Sequence, residues 1–363
     1  MNNPFSAQPI AVATGSVATS SVLLQNYSQA ISNQPEVALD SVPAFGTDQK
    51  SVQQTALYCL DNIVTELASL SAQDIGYANL FEQMYPTLLA DAQVIENAEA
   101  DPGARSKATT DFCRGLQQLI DEIGDGQYTR DSTARDLTQF IDMSASNQTN
   151  LDADLVVAQK QLLNGDISQL QAQMATIQQA IDKDNQTVAS GGVYGVVAGL
   201  KIGVGILVGW YSDPSKGFNL VLGEIQGIVT ESGVHSAALA DLKTQNQAYM
   251  STISQLLYDE AVYAVVQNLT LNTDLLAAHG TGASQALQAY SDGWNALSGN
   301  ITGIYNTLQK GPTSTLNLVL SLKSAQSEWN ALSIQAQAFQ ELGVVPADVQ
   351  SVNSSQQLVE ASK

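Results

Sequence analysis

Gly191, Gly195, Gly199 and Gly203 recur every fourth residue in the segment 191–211, GGVYGVVAGLKIGVGILVGWY, whose single charge is Lys201. The chemistry open to such a segment is partition into lipid rather than bond making. Its 21 residues would rise about 31 Å as a helix, the hydrocarbon thickness of a bilayer. Glycines at that spacing let helices pack closely in a membrane. Around them lie Val193, Tyr194, Val196, Val197, Leu200, Ile202, Val204, Ile206, Leu207, Val208, Trp210 and Tyr211. Tyr194 near one end, and Trp210 with Tyr211 at the other, suit the two interfaces. Burying about a dozen such side chains in lipid is worth about 20 kcal/mol. Lys201 at the bilayer centre would cost about 3 kcal/mol, and less if it snorkels. In water each glycine weakens a helix by about 1 kcal/mol. An apolar patch this large cannot stay exposed there without driving association. The segment must fold against the rest of the chain or against itself, and its Val, Ile and Gly content tolerates a small β-tongue as well as a helix.

Ser212, Asp213, Pro214, Ser215, Lys216 and Gly217 read as a turn. The limb beyond it, 218–231, reads as an amphipathic helix. Phe218, Val221, Leu222, Ile225, Ile228 and Val229 share an apolar arc. Asn219, Gly223, Gln226, Gly227, Thr230 and Glu231 fall opposite, with Glu224 at the edge and Leu220 the one intruder. A period of two fits less well, since Leu220, Leu222, Glu224 and Gln226 would share a face. One oily and one wet face is what a pore wall requires, which makes Asn219, Gln226 and Thr230 candidate pore-lining residues.

Nothing else in the chain offers catalysis. There is no glycine-rich phosphate loop before a lysine and no nucleophile elbow; His235 and His279 are isolated, and no metal-ligand spacing occurs. No catalytic, metal or cofactor-binding residue is expected. Cys59 and Cys113 match no redox spacing, and both a disulfide between two helices and a pair of inert buried thiols remain open. Fourteen Lys and Arg against 35 Asp and Glu give a net charge of −21. That charge repels nucleic acid and gives no help at anionic lipid, so membrane binding has to come from apolar burial. The mean hydropathy of −0.03 is that of a water-soluble chain carrying one membrane-length segment. Residues 1–20 lack the basic region and apolar core of a cleaved signal, which leaves export to another route.

The elements that would position the hairpin read as helices. Residues 1–46 look loosely structured, with one short helix at 20–31. Thr47 or Asp48 then caps a helix carrying Val52, Leu57, Leu60, Ile63 and Leu67. The pattern continues through Leu80, Met84, Leu88 and Val94, bent at Pro86. Asp101, Pro102 and Gly103 mark a boundary, and Gly124, Asp125 and Gly126 stop the next helix, 105–123. From 131 to 188 stops are few. Leu163, Ile167, Leu170, Met174, Ile177 and Ile181 alternate in steps of four and three, an a/d seam. Continuous, that helix would be about 87 Å long, too long for a compact globule; Asn164, Gly165 and Asp166 could kink it. A second long helix opens near Ser232, carries Leu239, Leu242, Tyr249, Ile253 and Leu256, and breaks at Gly280, Thr281 and Gly282. Helices at 284–309 and 316–342 follow, and the tail from Pro346 reads as frayed. The fold class is all-α: an elongated up-down helical bundle whose two very long helices bracket a hydrophobic head hairpin. The expected divisions are 1–188, 189–231 for the head, and 232–363.

This layout, with the residues of 191–231, resembles the cytolysin A-type α-pore-forming toxins. It is most similar to the membrane-inserting components of the HBL and NHE enterotoxins and of Gram-negative tripartite haemolysins. The resemblance implies a secreted monomer that hides the hairpin in its head, then inserts it into a target-cell membrane as a ring of copies forms, causing lysis. It implies as partners the lipid bilayer, further copies of the chain and other toxin components. The short, half-polar second limb favours such components, because a wide pore needs more polar lining than one hairpin supplies. Lys201 departs from an unbroken apolar limb and would snorkel, pair with Glu224 or be covered by a partner subunit. The alternative is a coiled-coil protein anchored permanently in a bacterial membrane by the same hairpin. Its flanks, Asp182, Lys183, Asp184 and Glu231, lack the basic bias of such anchors.

Overall fold

The computed structural model describes residues 3–34, 36–162, 167–197, 208–211, 220–224, 237–238, 240–241, 244–245, 258–311, 317–342 and 348–352. Helices dominate them: α1 (Gln8–Ser32), α2 (Phe45–Tyr58), a π-helical turn (Cys59–Val64), α3 (Thr65–Glu96), α4 (Pro102–Asp125), α5 (Gln127–Gln161), α6 (Ile167–Val197), α7 (Tyr258–Gln309) and α8 (Leu318–Leu342). Strands β1 (Val208–Tyr211), β2 (Leu220–Glu224) and β3 (Asp348–Val352) form one small sheet. The fold is a helical bundle, as expected, with one small β-sheet that includes the strands β1 and β2.

A seven-residue repeat writes the core of the long helices. In α7, Val262, Leu269, Leu276, Ala283, Tyr290, Leu297 and Ile304 are all buried. The same spacing buries Ile10, Val17, Leu24 and Ile31 of α1, and Leu318, Ala325, Leu332 and Phe339 of α8. A strict repeat of seven keeps one stripe facing a partner helix along its whole length, which is coiled-coil packing.

Several expectations are corrected here. Residues 8–32 form one helix rather than a loose segment with a short helix at 20–31. Its Ser and Thr run lowers helix propensity, but the heptad stripe is buried and tertiary packing overrides propensity. α2 starts at Phe45, so Thr47 and Asp48 lie inside it rather than at its cap. α3 runs through Pro86 as a single helix, in line with the continuous pattern read there. The segment 131–188 is two helices: α5 ends at Gln161 and α6 starts at Ile167, on either side of Asn164, Gly165 and Asp166. Conversely, Gly280, Thr281 and Gly282 do not break α7. A Cβ at Gly280 would sit 2.7 Å from the Phe140 ring, so this glycine serves close helix contact rather than termination. Asp101 behaves as read: its side chain accepts from the Ala104 amide at 3.0 Å, with Pro102 in the first turn of α4. The tail is not frayed throughout, since Asp348–Val352 is a strand. The described part of the second long helix is α7, with residues 237–238, 240–241 and 244–245 helical before it.

The chain folds into two compact units. The first gathers Met1–Ala18, Glu66–Arg135 and Ser284–Glu341. Its centre is aromatic: Phe81 stacks on Trp329 with ring centres 4.7 Å apart, and Tyr77 meets Trp294 edge-on at 4.7 Å. Trp329 Nε1 donates to the Phe5 carbonyl at 2.9 Å. The second unit gathers Thr19–Thr65, Asp136–Ala283 and Leu342–Lys363, and it contains the sheet. Cys59 and Cys113 are free, buried thiols, and burial pushes the Cys59 thiol up to about 12. The disulfide alternative is thereby closed.

Asp74 in the first unit is fully buried. It accepts from Tyr290 at 2.6 Å and from Thr14 at 2.7 Å, yet burial pushes its carboxyl up to about 7. The folded protein holds this proton to a higher pH than the unfolded chain, whose aspartates titrate near about 4. The site favours folding fully below that value and loses the advantage as pH rises through about 7, by about 4 kcal/mol at most. Asp74→Asn is expected to remove this part of the slope. Thermal melts of both proteins between pH 4 and 8 should converge at the acid end, with the wild type falling more steeply above it.

Candidate functional site

The hydrophobic segment is shared between a helix end and a hairpin. α6 extends past Val188 to Val197, so Gly191, Val193, Tyr194, Gly195, Val196 and Val197 have helical backbone. Val208 to Tyr211, including Trp210, form β1, and Leu220 to Glu224, including Val221 and Leu222, form β2. The strands are antiparallel, with Val208 opposite Gly223, Trp210 opposite Val221 and Tyr211 opposite Leu220. Gly199, Leu200, Ile202, Gly203, Val204, Ile206 and Leu207 lie outside the described residues, as do Phe218, Asn219, Ile225, Gln226, Ile228, Val229 and Thr230. The amphipathic helix expected for the second limb is corrected at 220–224, which is strand. In water, pairing two strands satisfies their backbones without the helix penalty of Gly223; the turn expected at 212–217 lies outside the described residues. Among the described residues, no helix is long and apolar enough to cross a membrane.

Below the tongue, the flanking helices carry buried polar layers. Asp182 of α6 accepts from Tyr27 of α1 at 2.8 Å and from Gln186 at 2.6 Å, and His279 Nε2 of α7 lies 2.8 Å from the same carboxylate. The Tyr27 and His279 rings are 4.9 Å apart, and Asn185 donates to the Tyr27 hydroxyl at 3.3 Å. Burial works to raise the Asp182 carboxyl, but His279, Tyr27 and Gln186 together hold it below the usual carboxylate range. Burial, then the Asp182 charge, pushes the Tyr27 phenol well above its ordinary value. One heptad away, Gln178 donates to Asn272 at 2.8 Å. Polar residues inside an apolar seam cost stability but fix which layer meets which.

Of these the sequence singled out only His279, placed on its own, and Asp182, as a charged flank of the hairpin; it joined neither to a partner. Asn272 and His279 are seven apart, in phase with the seam of Leu269 and Leu276. That phase was the available signal. Their partners sit 94 and 97 residues away, which no local pattern reveals. Among the described residues, no group of His, Cys, Asp and Glu could hold a metal ion.

The signature of the Bacillus haemolytic enterotoxin (HBL) family matches residues 6–184, the helices from α1 into α6. Three solved structures extend the likeness to the whole fold. Soluble AhlB, of a tripartite α-pore-forming toxin of Aeromonas hydrophila, is 14% identical, with 98% of this chain and 99% of that one covered at a TM-score of 0.71. The Bacillus cereus HblL1 toxin component is 16% identical over 93% and 96%, at 0.70. Soluble SmhA, of a tripartite α-pore-forming toxin of Serratia marcescens, is 16% identical over 94% and 97%, at 0.74. At such identity the likeness is one of fold. No curated protein sequence matches the chain. The chain thus shares the helical-bundle fold of these toxin components.

Proposed function

We propose that the chain is a secreted subunit of a pore-forming toxin that keeps an apolar hairpin folded as a tongue in water and inserts it into a target-cell membrane on assembly. The observation that carries this reading is the division of 191–211 between the end of α6 and strand β1. The two ends of a segment with the apolarity and length of a membrane span take different forms in water, helix at 191–197 and strand at 208–211. In lipid no water remains to bond an open sheet edge, and helix becomes the form that satisfies every backbone group of a single limb. The segment 191–231 is then the inserting head, with 1–188 and 232–363 as its flanking helical parts. Close packing is assigned to Gly191, Gly195, Gly199 and Gly203.

The partners implied are a lipid bilayer, further copies of the chain and other toxin components, as the tripartite relatives have. Release of a small dye from phosphatidylcholine–cholesterol vesicles, by the chain alone and with the products of neighbouring genes, tests the reading. It stands if dye escapes in either arm and fails if vesicles stay tight in both. Cysteines at Asn219, Gln226 and Thr230 should react with aqueous thiol reagents in the assembled pore, and cysteines at Val221 and Ile225 should not. Equal labelling of both sets would remove the wet face from the account.

A further inference from the structure

β2 is the central strand of the sheet, not one limb of an isolated hairpin. It pairs with β1 on one side and with the C-terminal β3 on the other, Leu220 opposite Val352 and Glu224 opposite Asp348. A two-stranded hairpin is marginal in water, and a third strand supplies the missing stability. With β3 in place, β2 has ladder partners along both edges.

That arrangement is incompatible with crossing a bilayer. Backbone in lipid has to be satisfied within a helix or a closed barrel, and a third strand from the chain's far end would have to enter with the tongue. β3 would also carry Asp348 to bilayer depth, where a carboxylate is strongly disfavoured. Its tether is short. α8 ends at Leu342, and residues 343–347 span about 17 Å fully extended, against about 30 Å of hydrocarbon.

We propose that β3 is an autoinhibitory strap, which holds β2 in the soluble sheet and has to peel away before the tongue can leave. The inference rests on reading 191–231 as the inserting hairpin. The strap is the strand of the sheet most distant from β2 in sequence. β1 and β2 are joined by the residues 212–219, whereas β3 comes to the sheet from a separate part of the chain, through residues 343–347 after α8. Detaching it breaks a few backbone hydrogen bonds and leaves the helices intact, so contact with a membrane or a second component suffices as a trigger.

A disulfide between Leu220→Cys and Val352→Cys, opposed in register, tests this at positions not assigned to lipid contact. With the bond formed, release of vesicle dye should fall at least about tenfold and recover on reduction. In a second variant truncated after Leu342, with helix content checked by circular dichroism, amide exchange at 220–224 should accelerate at least about tenfold. Full dye release by the oxidised protein, its cross-link confirmed by mass, overturns the strap. So does unchanged exchange in the folded truncation. If no form of the chain releases dye, with or without companion proteins, the insertion reading fails, and the exchange rates still decide whether β3 holds β2.

Discussion

Aspartate in place of Gly195 or Gly199 should abolish membrane permeabilisation while leaving the soluble helical fold in place. The motive is the position of both glycines in the apolar run 191–211. An aspartate at Gly199, near the centre of the span, costs about 3 kcal/mol, or about two orders of magnitude for one subunit, and one at Gly195, closer to the interface, costs less. The same residue also fills the space that lets neighbouring helices approach. A ring repeats the penalty in every copy, so the loss compounds. In water Gly195 is part of α6, where aspartate is no worse a helix former than glycine. Circular dichroism and size-exclusion behaviour should therefore match the wild type. Normal dye release by either variant would show that this limb does not meet lipid.

Asp182→Ala should lower the stability of the soluble protein by about 3 kcal/mol, the largest effect expected from a polar substitution in the second unit. One carboxylate holds the Tyr27 hydroxyl, the Gln186 amide and the His279 ring. Each buried partner left without its bond costs about 1–3 kcal/mol, and the three are coupled, so their sum is less than additive. Asp182→Asn keeps an acceptor for Tyr27 and should lose much less. Chemical denaturation of the two variants distinguishes this from a packing defect. A network role predicts a clear gap between Asn and Ala, whereas equal losses would assign the effect to the negative charge alone.

How far the sequence reveals this molecule depends on the range of the interactions involved. Boundaries made by local chemistry are legible: Asp101 with Pro102 opens α4, and Gly124 to Gly126 separates α4 from α5. The apolar run 191–211 is visible in the sequence because apolar composition is itself local. The heptad of α1, Ile10, Val17, Leu24 and Ile31, is present in the sequence but diluted by Ser and Thr, and only burial makes it decisive. Gly280 reads as a helix stop, whereas its role is to admit the Phe140 ring. Two features depend on long-range partners and leave no local trace: the Asp182 and His279 pair, and strand β3 against β2. The reading of 220–224 as helix was sound for its pattern and mistaken for water, where pairing on both sides favours strand.

Whether the turn at 212–217 crosses the bilayer is decided by a fluorophore on Ser215→Cys, with Cys59 and Cys113 buried and slow to react. Vesicles enclosing a quencher on a dextran too large for the pore report the outcome. On assembly the account predicts that the fluorophore dims from inside and becomes inaccessible to the same quencher outside. Vesicles that leak while the fluorophore stays reachable only from the outside would contradict it.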